Sequence, residues 1–115
     1  CFGDNLRKLT DEVYLCTNMF AETEGYDLTM LRNLGDDLIN KNQNWIVALA
    51  AEKDGKGFFF VKLGKEVDKN KFKANEIIVQ LTASAGGGGG GKAESAQAGG
   101  ADPLKLEEAL QTLRF

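Results

Sequence analysis

Apolar residues along this chain change period several times, and each change marks an element. "EVYLCTNMFAE", rich in aromatic and β-preferring residues, predicts a strand that ends at "TEGYD", where Gly25 and Asp27 supply turn chemistry. From Leu28 the period becomes helical: Leu31, Leu34, Leu38 and Ile39 share one face, Asp27 or Thr29 can accept from the first free amides, and "NQN" closes the helix. "WIVALAAE" and "GFFFVKL" follow, joined by "KDGK". Its Asp54-Gly55 pair suits the positive φ angles of a tight hairpin turn. Both arms are almost continuously apolar, so they are expected to be buried on both faces, with a helix over at least one of them.

"KANEIIVQLTASA" predicts that helix. Ala74, Ile77, Ile78, Leu81 and Ala85 form its stripe, and Gly86 is expected to stop it in the left-handed conformation. "AESAQAGG" alternates small residues and reads as a short strand, because a helix would have to stop again at Gly99-Gly100. Asp102 as N-cap and Pro103 as first helical residue then open a last helix with Leu106, Leu110 and Leu113 inward. The predicted order is β-α-β-β-α-β-α: an α/β chain of the α+β type, one domain with helices on a mixed sheet. Residues 13–115 make up that domain, and 1–12 read as a linker or the remnant of a preceding segment. The first crossover is expected to be right-handed if its two strands are parallel.

Composition sharpens this reading. With 115 residues, 43% of them hydrophobic, the chain can bury a core without a disulfide or metal staple. Its two cysteines, Cys1 and Cys16, are expected to be thiols in a reducing compartment. "WIVALAA" is the longest apolar run, far short of the roughly 20 residues of a membrane span, and no signal-peptide pattern opens the chain. A soluble cytoplasmic protein without membrane partners is expected, and the initial cysteine suggests a fragment of something longer. Histidine is absent, which removes the commonest general base and the commonest zinc ligand; no metal, cofactor or independent catalysis is expected. The net charge of −3 divides unevenly, −4 over residues 1–51, +3 over 52–73 and −2 over 74–115. Lys53, Lys56, Lys62, Lys65, Lys69, Lys71 and Lys73 therefore form a pool of possible anion contacts or a solvated face.

The six glycines Gly86, Gly87, Gly88, Gly89, Gly90 and Gly91, followed by Lys92, admit three readings. As a tether between domains they fail, because the 24 residues after Gly91 cannot build a core alone. As a nucleotide loop they fail too. Ala93 stands where a phosphate loop needs a hydroxyl, and a helix precedes the run where a strand should. The third reading is an ordered surface loop whose bare backbone lets an anion or sugar-phosphate surface approach, beside the Lys92 charge.

"GGGGGGKAESAQAGGADPLKLEEAL" resembles the C-terminal signature of alanyl-tRNA synthetases, and the preceding β-α-β-β-α order resembles the DHH-associated domain that ends those enzymes and many DHH phosphoesterases. The resemblance implies a noncatalytic, monomeric module that contacts the elbow of tRNA, with alanine tRNA and the rest of a synthetase as partners, and that helps to link aminoacylation and editing. It places Gly86 to Gly91 and Lys92 at the approach loop and offers Ser95 and Gln97 for phosphate or ribose, with Gly99 and Gly100 shaping the turn or touching RNA. Lys53, Lys56 and Lys73 are weaker phosphate contacts. Among the aromatic residues available for stacking, Trp45, Phe58, Phe59, Phe60 and Phe72, the "FFF" of Phe58 to Phe60 reads as core of a central strand, and Trp45, at a strand start, is the weaker stacking candidate. In the phosphoesterase branch a histidine follows the glycines; Lys92 departs from it. An accessory domain of such an enzyme, or a protein-interaction module favoured by the acidic N-terminal half, stays open as an alternative.

Overall fold

The computed structural model describes residues 6–115. Its elements are β1 (Leu6–Lys8), β2 (Tyr14–Phe20), α1 (Leu28–Lys41), β3 (Trp45–Lys53), β4 (Lys56–Leu63), α2 (Ala74–Ala85), β5 (Gly88–Gly91), β6 (Ser95–Ala101) and α3 (Leu106–Gln111). They form one six-stranded mixed sheet in the order β1-β2-β3-β4-β6-β5. Only β2 and β3 are parallel, as the intervening α1 crossover requires; the other pairs are antiparallel.

Strand alternation divides the apolar residues between two cores. Ile46, Ala48 and Ala50 of β3, with Phe59 and Val61 of β4, face α2 and α3. Val47, Leu49 and Ala51, with Phe60, face α1. This is why "WIVALAA" is apolar at every position: β3 lies mid-sheet with a helix layer on each side. Gly35 sets the spacing on the α1 side. A Cβ there would come 2.6 Å from the Phe60 ring, so glycine, at about 1 kcal/mol in helix propensity, lets α1 settle on the sheet.

Local chemistry follows the sequence closely. Asp54 and Gly55 take φ of 56° and 75°, and Glu22 Oε1 accepts from the Gly55 amide. Asp27 caps α1, its Oδ1 accepting from Met30 N at 2.9 Å. Asp27→Ala is therefore expected to lower stability by about 1 kcal/mol, read as a lower urea midpoint; an unchanged midpoint would contradict the cap. Asp102 Oδ1 likewise accepts from Leu104 N, and Pro103 opens a 3₁₀ turn before α3.

Several expectations are corrected. Two strands are added to the predicted four: Leu6–Lys8, inside the stretch read as a linker, forms one sheet edge, and Gly88–Gly91, read as a loop, forms the other. Gly86 stops α2 with φ 83° but ψ −173°, a positive-φ extended conformation that launches β5, rather than the left-handed helical one. Cys16 is disulfide-bonded and fully buried, in place of the expected thiol; Cys1 lies outside the described residues. Among those residues, no helix is long and apolar enough to cross a membrane.

Candidate nucleic-acid interface

A row of glycines has no side chains with which to choose a conformation, so β5 takes its structure from β6. Gly88, Gly89, Gly90 and Gly91 pair with Gly99, Ala98, Gln97 and Ala96, and Lys92 N donates to Ser95 O at 2.8 Å to close the turn. The run is not uniform. A Cβ on Gly87, Gly89 or Gly91 would drive into the backbone of β6, whereas one on Gly88 or Gly90 would meet nothing within 4 Å. The first three are demanded by close backbone approach. The other two leave an open, side-chain-free surface at the sheet edge, and all of β5 is exposed.

Helix α1 covers β3 and β4 but stops short of β5 and β6. The uncovered corner is a hollow of about 380 Å³ lined by Arg32 of α1, Phe60, the Gly90–Lys92 segment, Glu94, Ser95 and Gln97. Its floor follows from register. Phe60 lies beside Gln97 and Lys62 beside Ser95, so residues of one parity on β4 and β6 face this corner. Arg32 Nη1 donates across it to Gln97 Oε1 at 3.5 Å, the long limit of a hydrogen bond. Lys62 borders the hollow with its charge committed to Asp36, and exposed Glu94 opposes Arg32 and Lys92.

The structure thus gathers Gly90, Gly91, Lys92, Ser95 and Gln97 around one hollow. Gly86 and Gly87 precede β5 at its end away from Lys92, where Gly87 closely approaches the backbone of Gly99 and Gly100; Gly99 is half-buried and pairs with Phe58 of β4. Lys73 immediately precedes α2, whose first amide, Ala74 N, donates to Ala93 O, so it joins the Lys92 end of the sheet. The remaining predicted residues are elsewhere. Lys53 pairs with Asp27, and Lys56 sits opposite it at the β3–β4 turn, the end away from Lys92. Lys69 donates to the carbonyls of Gly64 and Val67 and serves its own turn. Lys65 and Lys71 are exposed outside the hollow. Trp45 is half-buried against the α1-side core, Phe59, Phe60 and Phe72 are buried, and Phe58 is half-buried. Arg32 escapes sequence reasoning, because nothing in "MLRNLG" signals which strand its guanidinium will meet.

Residues 13–114 match the DHHA1 domain family. The chain is 37% identical over 112 residues to the alanine–tRNA ligase of Hydrogenovibrio crunogenus, a match that covers 97% of this chain and 13% of that enzyme. It is 37% identical over 93 residues to the ligase of Myxococcus xanthus, covering 81% of this chain and 10% of that enzyme. It therefore spans roughly a tenth of the length of these curated relatives. The solved C-Ala domain of Aquifex aeolicus alanyl-tRNA synthetase superposes with a TM-score of 0.79 at 33% identity, over 92% of this chain and 91% of that one. These matches show that the chain belongs to the DHHA1 domain family, in the form of the alanyl-tRNA synthetase C-Ala domain.

Proposed function

We propose that this chain is a noncatalytic tRNA-binding module of an alanine–tRNA ligase, one that holds the elbow of alanine tRNA and so helps a single tRNA serve both aminoacylation and editing. The observation that carries the reading is the side-chain-free edge strand beside Lys92, Ser95 and Gln97. It offers a surface an RNA backbone can approach at van der Waals distance, with a cation and two hydrogen-bonding side chains next to it. The module acts as a monomer, with the remainder of the synthetase and tRNA as its partners and no cofactor of its own. The net acidity of the chain is compatible with this role if binding is local and modest in affinity.

Fluorescence titration of the chain with alanine tRNA tests the proposal. Binding should be weak and should fall steeply as salt rises. Lys92→Glu should weaken it by roughly tenfold or more, about 1.4 kcal/mol, with thermal stability unchanged because Lys92 is exposed. No binding at low salt would overturn the reading. Preference for single-stranded DNA would point instead to the accessory domain of a DHH phosphoesterase, and salt-insensitive failure with both nucleic acids to a protein-interaction module.

A further inference from the structure

We propose that Arg32 is the principal phosphate-contacting residue of the hollow between α1 and the β5–β6 hairpin, and that it seats one phosphate–ribose unit of RNA there with Gln97. The inference rests on the tRNA-binding reading above and adds a residue and a subsite to it. The hollow, at about 380 Å³, lies toward the lower end of the roughly 300–1,000 Å³ of small-ligand pockets, a size suited to one nucleotide unit rather than a duplex groove.

The cations around it are not equivalent. Lys62 is neutralised by Asp36. Lys92 is exposed on the turn and shares the rim with the acidic Glu94. Arg32 has no carboxylate partner among the described residues, and its bond to Gln97 Oε1 is 3.5 Å long. It stands one turn into a fourteen-residue helix, so its backbone is fixed before any ligand arrives. A guanidinium presents a planar fork to two phosphate oxygens, which an ammonium cannot. Exchanging a long bond to a neutral amide for two charge-assisted bonds to phosphate is favourable. The exchange also frees Gln97 Oε1, and Gln97 can then accept from or donate to a ribose hydroxyl, as can Ser95, its neighbour on the same face of β6.

The test is titration of the chain with alanine tRNA across a salt series. Three variants accompany the wild type: Arg32→Ala, Arg32→Lys, and Lys105→Ala as a control cation beside α3 on the opposite face of the sheet. Arg32→Ala should bind about ten- to a hundredfold more weakly, and its slope of log affinity against log salt should be shallower by about one unit, with the melting temperature unchanged. Arg32→Lys should keep the wild-type slope but recover only part of the affinity, because charge is retained and the fork is lost. Lys105→Ala should match wild type. Wild-type binding with Arg32→Ala unchanged in affinity and slope would overturn this inference alone, as would equal losses in Arg32→Ala and Lys105→Ala. No binding by the wild type would overturn both it and the tRNA-binding reading.

Discussion

Gly89→Ala is expected to cost about 2–3 kcal/mol of stability, toward the upper end of what overpacking typically costs, while Gly90→Ala, one residue along the same strand, is expected to be neutral or mildly stabilising. The two positions look identical in sequence. In the fold they differ completely: a Cβ on Gly89 would collide with Gln97 O and Ala98 Cα, and one on Gly90 would stand in open space. Backbone cannot swing aside as a side chain can, so relief at Gly89 means prying β5 from β6. At Gly90, which has no positive φ, a methyl mainly reduces the freedom of the unfolded chain, worth about 0.4–1 kcal/mol in favour of folding. Thermal melts would separate them: Gly89→Ala should melt roughly 10 °C or more below wild type and Gly90→Ala at or slightly above it. Equal melting temperatures would refute the alternation. RNA titration of the folded Gly90→Ala protein then reports on the open surface alone, without a stability change to confuse the result.

The alternation also shows where sequence reading stops. The β3–β4 hairpin is legible because Asp54-Gly55 fixes its turn and both arms are apolar throughout, and α2 is legible because its stripe matches the residues that are buried. These elements carry their own signal. β5 carries none: glycine has no hydrophobic period, and the strand exists only because β6 presents Ala96 and Ala98 as small partners at the right register. β1 is three residues long with a charged Arg7 and Lys8, too short for alternation to register. The candidate site divides in the same way. Lys92, Ser95 and Gln97 are close in sequence and can be read together. Arg32 is 65 residues from Gln97 and reaches it only through the packing of α1 on β4, a tertiary relation fixed partly by Gly35. The lysine pool is thinned for an equally tertiary reason, since Lys53, Lys62 and Lys69 are taken up by partners that other elements or the local turn supply.

Phe59→Ala is expected to be the most destabilising of the substitutions considered, at about 3–5 kcal/mol. Phe59 is fully buried in the middle strand arms, between Ala50 of β3 and Ala98 of β6, with α2 and α3 closing the core on its side of the sheet. The small neighbours are the reason the ring fits, and they are also the reason its loss cannot be repaired. Alanines have no length to extend into the void, and the flanking strands are locked by hydrogen bonding on both sides. Phe58→Ala provides the internal comparison. That ring is half-buried on the opposite face, at the margin of the α1-side core and beside Gly99, where water can fill the space it leaves; a loss of about 1–1.5 kcal/mol is expected there, no more than the lower end of the roughly 1.5–3 kcal/mol for a fully buried side chain. Urea unfolding would show a large drop in midpoint for Phe59→Ala and a small one for Phe58→Ala, each with the slope preserved. Similar drops would mean that the two faces of β4 bear equally on stability, contrary to a sheet whose α2–α3 side buries Phe59 completely and whose β5–β6 corner, on the α1 side, is an open hollow.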